Sequence, residues 1–206
     1  MIAGPIDLNR RYSVEEYFAL VEASDIKYEY HDGRIIPSGE MLAMAGGAYE
    51  HSVVKVNLSI AVGTRLRGHR CQVLDSDMQV HIPNTGFYVF PDLSIVCDEP
   101  TFGDPKAKLR LTNPQVVVEV ESPSTLAYDR VDKFEKYVRL ESLKEYVLVS
   151  TSEYRIVSYL RQPDGTWSFA FYVGSESTFR FRSIPLDVPM SEIYDRLTLP
   201  LPPAEP

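Results

Sequence analysis

Cysteine is scarce in this chain: Cys71 and Cys97 are the only two among 206 residues. They stand in no CxxC or other close pairing, which argues against a disulfide-rich secreted scaffold. Even with His69 nearby they are too sparse for a zinc site. They read as reduced, buried thiols of a cytoplasmic protein. Long apolar runs are missing too. None approaches the ~20 residues of a membrane-spanning helix, and the opening MIAGPIDLNRRYSVEEY has no signal-peptide apolar core. Positive charge is in short supply, with 21 Lys and Arg against 29 Asp and Glu and a formal net charge of −8. An acidic chain is no general-purpose binder of polyphosphate, so a nucleic-acid role must rest on a local basic surface or on metal ions.

What is present suits one soluble domain. Hydrophobic residues make up 44% and charged residues 24%, and the length allows a sizeable core. The reading is a domain over residues 1–198 followed by a disordered proline-rich tail, LPLPPAEP, over 199–206. Ser13 and Glu16 form a capping box that opens a short helix. Tyr28 to Ile36 reads as a hairpin turning at Asp32-Gly33. An apolar stripe predicts a helix from about Tyr49 to Arg67, with Gly68 just past its end. Strands follow from Asp77 to Ile82 and from Phe87 to Val96, the latter interrupted by Pro91-Asp92. Residues 98–114 read as a loop. A strand covers Gln115 to Ser122, and a helix starts at Ser124 or Thr125 and runs to about Leu140. Three further strands, Glu145 to Ser150, Tyr154 to Arg161 and Trp167 to Val173, precede a short helix near Ser191 to Leu197. This order predicts an α/β fold with a mixed central sheet flanked by helices.

The segment Val116 to Thr125, VVVEVESPST, carries the chemistry. A buried strand ends in two acids, Glu119 and Glu121. Alternation puts them on one face, where two carboxylates invite a hard cation such as Mg²⁺ or Mn²⁺, or a shared proton. Plain hydration at a strand end would serve equally well. Asp92 sits inside another apolar strand, directly after a proline, and can join Glu119 from a neighbouring strand; a turn aspartate bonding its own backbone is the alternative. On the following helix Asp129, Lys133 and Tyr137 recur at steps of four, and Lys133 is the lysine best placed to reach Glu119.

Taken in order, these pieces resemble the Uma-type family of endonucleases within the PD-(D/E)XK restriction-endonuclease-like superfamily. The likeness extends from about Tyr12 to Leu197. It includes Tyr28-Glu29 with Asp32-Gly33, Glu50-His51 and Phe90-Pro91-Asp92, then Val118 to Thr125 and Leu143 to Val149. It implies a restriction-endonuclease-like core with an added N-terminal hairpin and C-terminal strands. It also implies a Mg²⁺ site (Mn²⁺ as an alternative) held by Asp92, Glu119 and the Val120 carbonyl, with Glu50 as a further ligand. Catalytic roles then fall to Asp92, Glu119, Glu121 and Lys133, supported by His51, Asp129 and Tyr137. The superfamily pattern has lysine two residues after the glutamate, where this chain has Glu121. Either Lys133 supplies the charge, or Glu121 acts as the base, or the site is silent.

Three functions compete. The first is a Mg²⁺-dependent DNA endonuclease. The second is a silent nucleic-acid- or protein-binding module on the same fold. The third is an interaction protein that dimerises through its aromatic strands. Lys106, Lys108 and Arg110, with Arg65, Arg67 and Arg70, are candidate phosphate contacts or ordinary surface charge. A homodimer is expected on general grounds, and His31, His69 and His81 receive no role.

Overall fold

Ser13 caps the first helix as its spacing requires. Its Oγ accepts from the Glu16 amide at 3.2 Å while Glu16 accepts from the Ser13 amide at 2.8 Å. The helix, α1 (Val14–Glu22), buries Tyr17 and Leu20. These pack against Tyr12, Tyr28, Tyr30, Ile35 and Tyr88 in a small aromatic core. The computed structural model describes residues 6–24, 27–37, 49–121 and 133–201.

Two six-stranded sheets follow. The strands β1 (Tyr28–His31), β2 (Arg34–Pro37), β4 (Val80–Ile82), β5 (Phe87–Val89), β7 (Phe102–Asp104) and β8 (Leu109–Leu111) form one sheet. Its order is β2-β1-β5-β4-β8-β7. The other holds β3 (Cys71–Asp75), β6 (Leu93–Cys97), β9 (Val116–Glu121), β10 (Glu145–Ser150), β11 (Arg155–Arg161) and β12 (Trp167–Val173), ordered β12-β11-β10-β9-β6-β3. In it β9 and β10 run parallel and the other pairs antiparallel. A ribbon of β13 (Thr178–Phe181) and β14 (Leu186–Pro189) completes the strands. The remaining helices are α2 (Tyr49–Arg65), α3 (Phe134–Tyr137) and α4 (Met190–Ile193). This is the expected α/β class.

The second sheet is covered on both faces, which is why β9 and β10 read as nearly continuous apolar runs. Val116, Val118, Val147 and Val149 pack with Val54, Leu58 and Val62 of α2 and with Phe179 and Val188 of the ribbon. Val117, Tyr146 and Leu148 pack with Tyr137, Leu140 and Leu143 and with Val80, Ile82 and Val89 of the first sheet.

Several expectations are corrected. The stretch from Phe87 to Val96 is two strands: the chain leaves the first sheet after Val89 and enters the second at Leu93, so Pro91-Asp92 marks a crossing between sheets. Residues 98–114 contain the antiparallel pair β7 and β8. They read as a loop because their polar side chains lie at a sheet edge. The N-terminal hairpin turns at Asp32-Gly33 as expected, with φ of 46° and 91°. These positive values at both central residues are what a tight hairpin needs. It is no appendage, however, since β1 also pairs with β5. The cysteines are disulfide-bonded rather than reduced. They are 26 residues apart in sequence, but the β3–β6 register sets Cys71 directly opposite Cys97. Part of the stretch read as a tail, residues 199–201, is described. The Pro200 carbonyl accepts from the Tyr154 amide, and the Leu199 amide donates to the Tyr154 hydroxyl. Residues 202–206 lie outside the described part, as do the Ser124 and Thr125 helix start and Asp129. Among the described residues no helix is long and apolar enough to cross a membrane.

Candidate active site

The crossing at Phe90–Asp92 builds the site. Leu93 pairs with Val118, so the residue before Leu93 meets the residue after Val118, and Asp92 stands beside Glu119. The Val120 amide donates to Asp92 Oδ2 at 2.8 Å. From α2, His51 Nε2 lies 3.4 Å and Lys55 Nζ 4.0 Å from Asp92 Oδ1. Lys55 also donates to the Ser76 hydroxyl at 3.2 Å. Burial works to raise the Asp92 pKa. The His51 hydrogen bond and charge, the Val120 amide and the Lys133 charge outweigh it and hold the carboxyl below its ordinary value.

Glu119 is the centre of a second group. Its Oε1 accepts from Lys133 Nζ at 3.2 Å and from the Tyr137 hydroxyl at 3.1 Å. Lys133, at the start of α3, is 5% exposed and also lies 3.5 Å from Glu29 Oε1. That same oxygen accepts from the Phe90 amide at 3.2 Å, and Glu29 Oε2 lies 3.5 Å from His31 Nε2. Burial would raise the Glu29 pKa. The Lys133 charge and the His31 hydrogen bond reverse this and hold it below the usual carboxylate value. The Tyr137 hydroxyl is pushed far up, first by burial and then by the Glu119 charge. It stays protonated at any ordinary pH and donates its hydrogen bond to Glu119. A buried carboxylate is tolerated only when paired or hydrogen-bonded, and each of these three is.

The structure therefore brings together Asp92, Glu119, Lys133, Tyr137 and His51. Glu50 is half-buried in the first turn of α2, and among the described residues no hydrogen bond or ion pair joins it to Asp92 or Glu119. Glu121 is 2% exposed and opposite Ser150. Its carbonyl accepts from the Thr151 amide and hydroxyl, and its charge bears on Tyr194. Glu29, His31 and Lys55 were missed as site residues. Two weak signals were available: an acid flanked by tyrosines, Tyr28-Glu29-Tyr30, in the first strand of the hairpin, and a lysine one helical turn after His51.

The basic candidates divide. Lys106 and Lys108 are exposed between β7 and β8. Arg65 and Arg70 are engaged by Glu192 and Asp98 at 2.7 and 2.9 Å. Arg110 lies 3.5 Å from Asp104 and stacks 4.2 Å over the Phe18 ring.

Among the described residues no three His, Cys, Asp or Glu side chains converge as a metal-holding group. Magnesium is commonly held by one or two carboxylates, waters and substrate phosphate rather than by an all-protein cage. Asp92 and Glu119, hard oxygen donors on adjacent strands, fit that pattern.

The model of the Uma2 family, described as "Putative restriction endonuclease", matches residues 14–190. "Uncharacterized protein slr1290" of Synechocystis sp. is 39% identical over 184 residues, covering 89% of this chain and 92% of that one. "Uncharacterized protein sll1609" of the same organism is 29% identical over 166 residues, covering 81% and 90%. Among solved structures, "a putative nuclease belonging to DUF820" from Anabaena variabilis superposes with a TM-score of 0.70. The identity is 14%, and 88% of this chain and 97% of that one are covered. At that identity the likeness speaks for the fold.

Proposed function

Since the chain belongs to the Uma2 family, we propose that it is a Mg²⁺-dependent DNA endonuclease acting through the Asp92–Glu119 pair. Asp92, Glu119 and the Val120 carbonyl would hold the ion, with Mn²⁺ as a substitute and Glu50 as a further ligand or a supporting acid. The metal supplies polarisation of a phosphoryl oxygen and a lowered pKa for bound water. Lys133 supplies the positive charge that Glu121 cannot, stabilising charge that develops on the phosphate. Glu29 and Tyr137 orient it: the first holds its ammonium from one side, and the second shares the Glu119 oxygen it binds. His51 steadies Asp92. Glu121, buried at the end of β9, is a candidate base. Lys106 and Lys108 are the exposed residues available to the phosphate backbone.

The observation that carries this reading is Lys133 Nζ, buried between Glu119 and Glu29 at 3.2 and 3.5 Å. A lysine from the next helix stands beside the glutamate that the superfamily pattern pairs with lysine. The test is cleavage of supercoiled plasmid with Mg²⁺ or Mn²⁺. Wild type cuts, Asp92→Ala does not, and Lys133→Met is slower by roughly 10²–10³-fold. Equal cleavage by wild type and Asp92→Ala would overturn the assignment. No cleavage with either metal would favour the silent binding module.

A homodimer belongs to the same proposal. Strand β12 is an edge strand with Phe169, Phe171 and Val173 exposed, and such an unguarded edge invites a partner strand. Light scattering should give twice the 23.4 kDa chain mass, and a monomer would refute it.

A further inference from the structure

Beside the acid cluster lies a cavity of about 370 Å³ with Phe18, Met78 and Phe90 among its walls and Lys27 and Arg110 at its sides. Its size falls within the ~300–1,000 Å³ of small-ligand sites. Two aromatic rings line it, each with a cation over its face: the Arg110 guanidinium 4.2 Å from the Phe18 centroid and the Lys27 ammonium 6.0 Å from the Phe90 centroid. Glu22 and Asp77 also border it, and Asp77 pairs with Lys27 at 2.6 Å. The cavity is thus close to neutral. It suits a flat, uncharged aromatic group better than a free anion.

Its position relative to the acids is specific. Phe90 contributes its side chain to the cavity while its amide donates to Glu29, and Asp92 follows two residues later. On the other wall Asp77 is next to Ser76, which accepts from Lys55 beside Asp92. Cavity and cluster therefore share the chain crossing between the sheets. At most roughly 7 Å of backbone separates Phe90 from Asp92, within the reach of one nucleotide to the next.

We infer that this cavity receives one unpaired nucleobase of the strand being cut, stacked among Phe18, Phe90 and Arg110, with its neighbouring phosphodiester at Asp92 and Glu119. The inference rests on the nuclease reading and narrows it. A base inside a duplex cannot enter such a cavity without leaving its stack, so the substrate is single-stranded or locally unpaired. Stacking on aromatic faces tolerates any base, so the site selects strand structure rather than sequence.

The test is binding by fluorescence anisotropy, with the full chain in EDTA so that nothing is cut. The probes are a labelled single-stranded DNA 12-mer and an otherwise identical strand of abasic units. Wild type should prefer the base-bearing strand by ~5- to 140-fold, the value of a base stacked on aromatic groups. Phe18→Leu keeps an apolar side chain at the rim. It should erase most of that preference and leave abasic-strand binding unchanged. Phe90→Leu should do the same, with melting temperature read alongside to show that the chain still folds. Equal affinity of wild type for the two strands, or no binding of either, would overturn the inference. A preference that survives both substitutions would overturn it as well. Because these experiments contain no metal, plasmid cleavage can fail while base discrimination stands, and the reverse.

Discussion

Lys133 serves two carboxylates, Glu119 and Glu29, and for Glu29 the consequence is a held charge state. The Glu29 pKa is held below its ordinary 4.5, with the Lys133 charge the largest influence opposing burial. A group whose folded pKa is depressed adds stability above its unfolded pKa and loses that contribution as pH falls through the folded value. The stability gap between wild type and Glu29→Gln should be constant from neutral pH to about 5 and narrow below about 4.5. Urea melts between pH 7 and pH 3.5 would measure it; a gap that ignores pH would mean the carboxyl titrates alike in the folded and unfolded chain, and one that grows toward low pH would mean it is held protonated. At this scale the sequence was informative where residue type and local spacing sufficed. Asp92, Glu119 and Lys133 could be read from an acid after proline, an acid in a valine strand and a lysine on the following helix. Glu29 and Lys55 carried only weak local hints, because what makes them site residues is contact across sheets and helices far apart in the chain.

Among the elements, the C-terminal ribbon depends on one buried acid. Glu145, the first residue of β10, is fully buried. It accepts from the Ser158 hydroxyl, the Arg182 and Ser183 amides and the Ser183 hydroxyl, at 2.6 to 3.1 Å. Arg182 and Ser183 form the turn between β13 and β14, so this carboxylate fastens the ribbon to the central sheet. Glu145→Ala would leave these donors without an acceptor, at a cost of roughly 3–5 kcal/mol. Guanidinium denaturation should show it, and a loss below about 1 kcal/mol would mean water replaces the carboxylate. Element types were legible wherever a period was clear, as in α2 and the valine runs of β9 and β10. They were not legible at β3, whose pattern of one buried and two exposed positions gives no clean alternation. Nor were they at β7 and β8, three residues each, where Lys108 and Arg110 take positive φ of 52° and 64°. Such short, irregular strands exist only because a neighbour pairs with them.

Across the whole molecule, the Cys71–Cys97 bond ties the edge strand β3 to β6, the strand that begins just after Asp92. For a closed loop of this sequence separation the chain-entropy account gives about 3.5 kcal/mol. In a chain of this size that corresponds to a melting temperature lower by roughly 7–14 °C once the bond is reduced. Calorimetry with and without dithiothreitol would check this, and identical melting curves would show that the bond carries no such weight. Composition could not reveal the pairing, since two cysteines with nothing cysteine-rich around them resemble any two buried thiols. Only the register of strands brought together by the fold makes them neighbours.

The crossing from Val89 to Leu93 has one more consequence. The amide of Phe90 is held by Glu29 and the amide of Val120 by Asp92. Glu29 belongs to one sheet and Glu119 to the other, Asp92 stands where the chain enters the second, and Lys133 bonds to both sides. If the two sheets part by local breathing, the carboxylates lose their ammonium in the same motion. Solvent exchange at the Phe90 amide and loss of the assembled charge cluster are then a single event, so the protein cannot relax at this seam and keep the cluster whole.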